Sequence, residues 1–175
     1  FGRADANPLS GNWTKSTSFF DLQLASNHVE STSTSGASAA YYNGVTWSNF
    51  NDQSSTITIG AIGGSGFLAS LARWQSASAS GYQCRIGHPL GVSTPVSIVR
   101  TDFASDVLLA SGTANASAGQ TVECDALGSA ITMQVNGSVV LTTTDSTYAT
   151  GNAGMMVFDN SGSLTGTYIT AWSGS

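Results

Sequence analysis

The segment with the most ligand-binding chemistry runs from Tyr41 to Phe50, where aromatic rings alternate with asparagine, glycine and small polar residues. Flat aromatic rings pack against the C–H faces of sugars, and side-chain amides bond to their hydroxyls. Two further rings flank a turn at residues 76–80, and we expect them at the same rim. The following residues are therefore predicted to bind carbohydrate: Tyr41, Tyr42, Trp47, Asn49, Trp74 and Tyr82.

An alternative role for these rings is to fill the protein core with a polar tip at the surface. The chain has four Trp and five Tyr, which a domain of this size can bury. The core role is favoured for Trp13 and Trp172, near the two ends. It remains open for Trp47 and Trp74.

Carboxylates that could cleave a polysaccharide are scarce. Glycoside hydrolysis uses an acid and a nucleophile set close together. The chain has two glutamates, Glu30 and Glu123. Glu123 and Asp125 would project from the same face of a regular strand, but they lack a further partner. We therefore expect no catalytic residues and no enzyme activity.

The charge pattern excludes two classes of partner. The formal net charge is −5, and the five basic residues are scattered singly along the chain. Nucleic acids and anionic membrane surfaces both require clustered basic residues. No apolar run approaches the roughly 20 residues that span a bilayer. We predict neither nucleic-acid binding nor membrane insertion.

The two cysteines bear on the cellular compartment. The spacing of Cys84 and Cys124 fits no zinc or redox motif, which leaves a disulfide or two buried free thiols. Charged residues make up only 9% of the chain, Ser and Thr are abundant, and the sequence starts at Phe1. These features favour export and therefore a Cys84–Cys124 disulfide. We expect an extracellular, secreted or surface-displayed protein, virion surfaces included.

Short β-branched and aromatic runs separated by Gly, Ser and Asn predict an all-β fold, and no stretch has helical periodicity. Asn136-Gly137 separates two alternating runs and predicts a hairpin turn. The other predicted strands lie at residues 19–24, 55–59, 67–74, 81–86, 96–100, 107–110, 154–158 and 167–172. Loops are predicted at 31–39, 60–66, 76–80, 112–119 and 160–166. We expect roughly ten to fourteen strands in a single domain covering residues 1–175.

Several short motifs, in order, resemble a known family. The chain opens with Phe1-x-Arg3-x-Asp5 and Leu9-x-Gly11-x-Trp13, and Asp52-Gln53 leads into a strand. Further along are Leu71-Ala-Arg73, Gly81-Tyr82, the Asn136-Gly137 hairpin, Tyr148-x-x-Gly151-x-x-Gly154 and Phe158-Asp159. In order and spacing, these motifs resemble the concanavalin A-like lectin/glucanase superfamily of laminin-G-like jelly rolls. The resemblance implies a two-sheet antiparallel β-sandwich.

The resemblance also implies a range of functions. Members of the superfamily bind glycans, cleave polysaccharides, or serve as adhesion and virion-surface modules. Its glycosidases carry a Glu-x-Asp-x-x-Glu or Glu-x-Asp-x-Glu strand motif, and here Leu127 and Gly128 replace the second glutamate. Its lyases carry a Gln-x-His motif, which is absent, although Arg85, His88 and Tyr82 loosely imitate such a site.

Structural calcium is frequent in the superfamily. No Asp-x-Asp-x-Asp-Gly loop is present. We expect Asp5 and Asp159 to converge if the terminal strands pair, and they are the candidate metal ligands. No other cofactor is expected.

The sequence thus predicts a non-catalytic glycan-binding or adhesion module whose partner is a polysaccharide or glycan. The alternative is a structural subunit that packs against copies of itself or a capsid or filament scaffold. An atypical polysaccharide hydrolase or lyase is the weaker alternative.

Overall fold

A computed structural model describes residues 4–44, 51–75, 77–103, 105–164 and 166–175. In these ranges the chain forms fourteen strands and no helix, in two sheets of seven strands each. The front sheet, in spatial order, contains β1 (Trp13–Lys15), β4 (Gly36–Tyr42), β13 (Asn152–Asp159), β6 (Phe67–Gln75), β7 (Ser80–Gly87), β8 (Gly91–Asp102) and β9 (Ser105–Ala116). The back sheet contains β12 (Ser138–Thr144), β11 (Ala130–Val135), β10 (Thr121–Leu127), β5 (Gln53–Ala61), β14 (Tyr168–Gly174), β3 (His28–Ser31) and β2 (Leu22–Ala25).

The two sheets stack around one large hydrophobic core. All neighbouring strands pair antiparallel, and along each strand alternate side chains point to opposite faces. In β5, Ile57 and Ile59 are fully buried between the sheets, whereas Thr56 and Thr58 face outward. This arrangement confirms the predicted all-β, two-sheet sandwich. None of the described residues forms a helix long and apolar enough to cross a bilayer.

The hairpin between β11 and β12 is confirmed. Asn136 and Gly137 have φ values of 50° and 76°, which is the left-handed backbone that a two-residue hairpin turn needs. Asparagine and glycine adopt this conformation at low energetic cost. The turn is therefore encoded by two adjacent residues.

Two predicted loops were wrong in part. Strand β4 begins at Gly36, inside the loop expected at residues 31–39, because a Ser/Ala-rich segment is recruited between β1 and β13. Strand β9 extends to Ala116, inside the loop expected at 112–119, because β8 supplies a long antiparallel partner. In both segments, tertiary pairing overrides weak local β-propensity.

The Cys84–Cys124 disulfide is confirmed. Cys84 lies on β7 of the front sheet and Cys124 on β10 of the back sheet, and both are fully buried. The bond therefore links the two sheets through the core.

A second, smaller hydrophobic cluster lies on the outer face of the front sheet. Strands β4, β6 and β13 contribute all of its residues except Ala79, which precedes β7, and their side chains in the cluster alternate with those of the main core. Phe19 packs over it, and the backbone N–H of Ser16 donates to the carbonyl of Ala39 at 2.8 Å. The segment at residues 16–20 therefore lies across part of this face and leaves the β7–β9 part uncovered. The cluster consists of Ala39, Ala69, Leu71, Trp74, Ala79 and Met156.

Candidate functional site

The uncovered part of the front sheet carries a connected polar network. Gln83 and Arg85 alternate with core residues on β7, so both side chains project from the outer face of the front sheet. Thr101 lies on β8 and Asp106 on β9, directly opposite each other in the strand register. Four polar side chains from three adjacent strands therefore meet at one place.

The network is closed by hydrogen bonds. The Arg85 guanidinium donates from Nε to Gln83 Oε1 at 2.7 Å and from Nη2 to Asp106 Oδ2 at 2.6 Å. Gln83 donates to the Thr101 hydroxyl at 2.7 Å, and that hydroxyl donates to Asp106 Oδ1 at 2.9 Å. Gln83 and Thr101 are buried beneath Arg85 and Asp106. The donors and acceptors that face solvent are thus held in fixed positions.

Phenylalanine rings form the other wall of the site. The Cζ of Arg85 lies 4.6 Å from the centroid of the Phe67 ring, a cation–π arrangement. Phe67 stacks on Phe158 with centroids 5.0 Å apart. Phe19, from the covering segment, lines the same cavity. The guanidinium is therefore fixed from three sides: by Gln83, by Asp106 and by an aromatic face.

Two cavities adjoin at this network. One, of about 240 Å³, extends from Phe19 and Phe158 to Asp106. The other, of about 350 Å³, extends toward Pro95 and Ser111. Phe67 and Arg85 line both cavities, which therefore adjoin at this pair on the outer face of β7, β8 and β9. We call the two adjoining cavities the front-sheet groove.

Burial corrects the sequence interpretation of Trp74 and Tyr82. Both side chains are fully buried, and neither presents a ring face at the surface. Trp74 belongs to the outer cluster, and its indole N–H donates to Ser16 Oγ at 2.8 Å. Tyr82 points into the main core, and its hydroxyl donates to Asp145 Oδ1 at 2.7 Å. These two rings stabilise the fold and do not line the groove.

Tyr41 and Tyr42 are not brought together. They end strand β4 and therefore point to opposite faces of the front sheet. Tyr41 packs against the outer cluster. Tyr42 lies against Trp13 and Trp172, with ring centroids 5.3 Å and 5.2 Å away. Both tyrosines are half-buried, and neither lines the groove cavities.

The remaining members of the predicted aromatic site, Trp47 and Asn49, lie outside the described residues. Their carbohydrate-binding role stays a prediction. Trp13 and Trp172, for which a core role is favoured, are half-buried and pack against the main core. The Trp172 indole N–H donates to Ser55 Oγ at 3.0 Å, so this ring contributes to the packing of the sandwich.

The two proposed calcium ligands do not assemble a metal site in the described part of the chain. Asp5 is exposed, and its Oδ1 accepts from the Ser26 N–H at 2.9 Å. Asp159 is fully buried, and its Oδ1 accepts from the Ser161 N–H at 2.7 Å. Within the described ranges, no three His, Cys, Asp or Glu side chains cluster as metal ligands would. The residues present there do not fit a calcium ion, which takes six to eight oxygen ligands.

The carboxylates considered for catalysis lie away from the groove. Glu123 and Asp125 share the outer face of the back sheet, as their spacing predicts. Glu123 accepts from Ser54 Oγ at 2.7 Å, and Asp125 accepts from the Gln134 amide at 2.6 Å. Among the described residues that line the groove, Asp106 is the one carboxylate.

A second arginine–aspartate cluster lies at one end of the sandwich. Arg100 donates to Asp145 Oδ2 at 2.6 Å and to Asp102 Oδ2 at 3.1 Å. Burial alone would raise the pKa of Asp145, but hydrogen bonds from Tyr82, Thr147 and Arg100 outweigh burial and lower that pKa to about 2. Burial, reinforced by Asp145, raises the pKa of Tyr82 to about 12 against an opposing backbone hydrogen bond. We call this group the Asp145 cluster.

Comparison with known proteins identifies the fold. No family model and no curated protein matches the sequence. Among solved structures, the chain is similar to the carbohydrate-binding module CBM66 from Bacillus subtilis, with 15% identity, a TM-score of 0.70, and coverage of 90% of this chain and 91% of that chain. It is also similar to the exoplasmic/lumenal domain of VIP36 in a Ca2+/Man-bound form, with 11% identity, a TM-score of 0.61, and coverage of 95% and 83%.

The chain has the concanavalin A-like jelly-roll fold. The similarities therefore confirm the family resemblance at the level of the fold. Alginate lyase A1-II′ shares it too, with 8% identity, a TM-score of 0.54, and coverage of 88% of this chain and 82% of that chain. Binding modules and an enzyme occur on the same architecture, so function depends on the site rather than the fold.

The residues that sequence reasoning missed are Gln83, Thr101 and Asp106, and Arg85 was considered only as part of a lyase-like set. One signal was present in the sequence. Gln83-x-Arg85 places two long polar side chains at alternate positions of an otherwise apolar strand, which predicts a polar patch on one face. Thr101 and Asp106 join this patch through the registers of the β7–β8 and β8–β9 pairs, which the predicted strands alone do not specify.

Proposed function

We propose that this chain is a non-catalytic glycan-binding module that acts outside the cell or on a surface, and that the front-sheet groove binds the glycan. The observation that carries the proposal is the Gln83–Arg85–Thr101–Asp106 network beside Phe19, Phe67 and Phe158. It combines fixed donors and acceptors with apolar ring edges. A sugar ring offers the same combination of hydroxyls and C–H surface.

Two further observations support the proposal. Similar solved structures include the carbohydrate-binding module CBM66 and the VIP36 domain in a Ca2+/Man-bound form. The disulfide fits an oxidising compartment. Asp106, the one carboxylate among the described groove residues, is already bonded to Arg85 and Thr101 and supplies no acid and nucleophile pair. We therefore expect binding without turnover.

The test is the substitution Arg85→Met. Methionine keeps an apolar side chain over Phe67 but removes every N–H donor, so we expect binding to weaken at least about tenfold. Affinity electrophoresis in gels containing laminarin, galactomannan or pullulan measures the loss. Lys15→Met is the control, because it removes an exposed cation that does not line the groove.

Equal retardation of the wild type and Arg85→Met would place the glycan elsewhere, with the predicted Trp47 and Asn49 as the next candidates. The same polysaccharides are then incubated with the wild type. Accumulation of new reducing ends or unsaturated products would overturn the non-catalytic part of the proposal.

Self-assembly is the second candidate function, and one observation favours it. The edge strand β9 is exposed along most of its length. Phe103, at the tip of the preceding hairpin, is 70% exposed, and Leu108 is 62% exposed. Exposed edges with apolar side chains can pair with another chain. Light scattering on wild type and Leu108→Lys decides this: assembly predicts a multimer that the lysine dissociates.

A further inference from the structure

We infer that the front-sheet groove takes a neutral, linear polysaccharide, which lies lengthwise along β8 and is held through internal sugar units. This inference rests on the proposed function and specifies its ligand. Two properties of the groove carry it: its extent and its charge.

The extent of the groove exceeds a single sugar. Thr101 lines the cavity at one end and Pro95 lines the cavity at the other. These residues are six positions apart on β8, which corresponds to about 20 Å along the strand. Both cavities share Phe67 and Arg85 as lining residues, so they adjoin at this pair. A ligand bound at Arg85 can therefore continue in both directions, as an internal chain segment does.

The charge of the groove is balanced. Its described lining residues include one cation, Arg85, and one anion, Asp106, which form an ion pair at 2.6 Å. An acidic polysaccharide would compete with Asp106 for the guanidinium. Its further carboxylates would lie beside Asp106 in a groove whose described lining has no second cation, on a chain of net charge −5. Such placement is unfavourable by like-charge repulsion.

The ion pair also suits a neutral ligand directly. Arg85 uses Nε and one N–H of Nη2 for protein contacts, and a guanidinium has five N–H donors. Its remaining N–H groups can donate to one hydroxyl while the adjacent Asp106 carboxylate accepts from another. Adjacent donor and acceptor groups match the neighbouring hydroxyls of an uncharged sugar.

The preference for a neutral ligand is tested with one polymer in two forms. The neutral polysaccharide that binds better, laminarin or pullulan, is compared with the same polymer after its primary alcohols have been oxidised to carboxylates. We expect the oxidised form to bind at least about tenfold more weakly in calorimetry. Equal or tighter binding of the oxidised form overturns the neutral-ligand inference.

Binding of an internal chain segment is tested by varying the ligand length and by one substitution. We expect the hexasaccharide of that polymer to bind at least about tenfold more tightly than the monosaccharide. Ser111→Leu narrows the Pro95–Ser111 cavity and should remove most of this gain. Ser173→Leu, an exposed position on the back sheet, is the matched control.

The outcomes separate the two levels of the proposal. If the monosaccharide and the hexasaccharide bind equally, or if Ser111→Leu and Ser173→Leu behave alike, the internal-chain inference is wrong and the glycan-binding function stands. If no glycan, neutral or oxidised, binds the wild type, the proposed function fails and the inference fails with it.

Discussion

The two faces of strand β7 have different tasks. Its inward side chains hold the protein together: Cys84 forms the disulfide, Ile86 packs in the core, and Tyr82 bonds to Asp145. Its outward side chains, Gln83 and Arg85, belong to the groove network. Stability and binding therefore alternate residue by residue along one strand, because successive side chains point to opposite faces.

Substitutions at neighbouring positions of β7 should therefore have separable effects. An arginine–aspartate pair occurs on each side, but the surroundings differ. The Asp145 carboxylate is about 10% exposed, whereas that of Asp106 is 46% exposed. Removing one partner of a buried ion pair lowers the free energy of unfolding strongly, whereas removing one partner of an exposed pair lowers it little. We therefore expect inward substitutions to change stability and outward ones to change affinity.

The largest expected effect is the loss of the disulfide. Cys84 and Cys124 are 40 positions apart, so the bond closes a long loop in the unfolded chain. The double variant Cys84→Ala/Cys124→Ala should lower the free energy of unfolding by about 4 kcal/mol. Denaturant unfolding monitored by tryptophan fluorescence measures the change. Glycan affinity of the folded variant should stay within a factor of about two; a large loss would show that the two faces of β7 are coupled.

The next effect comes from the Asp145 cluster. Asp145→Ala leaves the Arg100 guanidinium without its 2.6 Å partner and the Tyr82 hydroxyl without its 2.7 Å acceptor. We expect a loss of about 2–3 kcal/mol in the free energy of unfolding. Asp106→Ala is the matched control and should cost less than about 1 kcal/mol. Equal losses in the two variants would remove the distinction between the clusters.

The fold was more predictable from the sequence than the site, for a physical reason. The Asn136-Gly137 hairpin is encoded locally, and the Cys84–Cys124 bond followed from a count of two cysteines. Burial of Trp74 depends on Ser16, which is 58 positions away and accepts its indole N–H. No local pattern distinguishes such a buried ring from an exposed binding platform.

The groove was harder still to predict. Arg85 and Asp106 are brought together through the β7–β8 and β8–β9 registers. Asp106 also lies just before the strand predicted at residues 107–110, and an aspartate at a strand end is ordinarily solvated. The groove depends on the register of three strands. The alternation of Gln83 and Arg85 predicts a polar face on β7 but does not identify the residues of β8 and β9 that join it.

The pH dependence of stability offers a finer test of the inward cluster. The folded-state pKa of Asp145, about 2, lies below its ordinary value of 3.8. A lowered carboxyl pKa contributes stability that is fully present above the ordinary value and is lost as pH falls through the folded value. Stability should therefore decline by about 2 kcal/mol between roughly pH 4 and pH 2.

Asp145→Asn removes this titrating group, so its unfolding free energy should show a shallower acid decline, measured by urea unfolding across the same pH range. At the other limit, the raised pKa of Tyr82 favours the protonated, folded form. Its contribution is present below about pH 10 and lost as pH rises toward 12. If the unfolding free energy of Asp145→Asn declines at acid pH as steeply as that of the wild type, other carboxyls control acid unfolding.

The smallest expected effect concerns the outward face, and it tests charge selectivity. Asp106→Asn keeps the size of the side chain but removes the negative charge beside Arg85, which leaves the groove with a net positive charge. If Asp106 excludes acidic chains, the oxidised polysaccharide should bind the variant several-fold more tightly than it binds the wild type, a gain of about 1 kcal/mol. Calorimetry at low and high salt measures it.

Two features of the result identify the cause. Added salt should abolish the gain, because the attraction between an exposed guanidinium and a carboxylate is screened. The neutral polymer should bind Asp106→Asn more weakly than the wild type, because an amide oxygen accepts a hydrogen bond from a sugar hydroxyl less strongly than a carboxylate does. Asp125→Asn on the back sheet is the control, since it removes one negative charge from the chain without touching the groove. If both variants gain equally for the oxidised polymer, net charge alone is responsible, and Asp106 does not select the ligand.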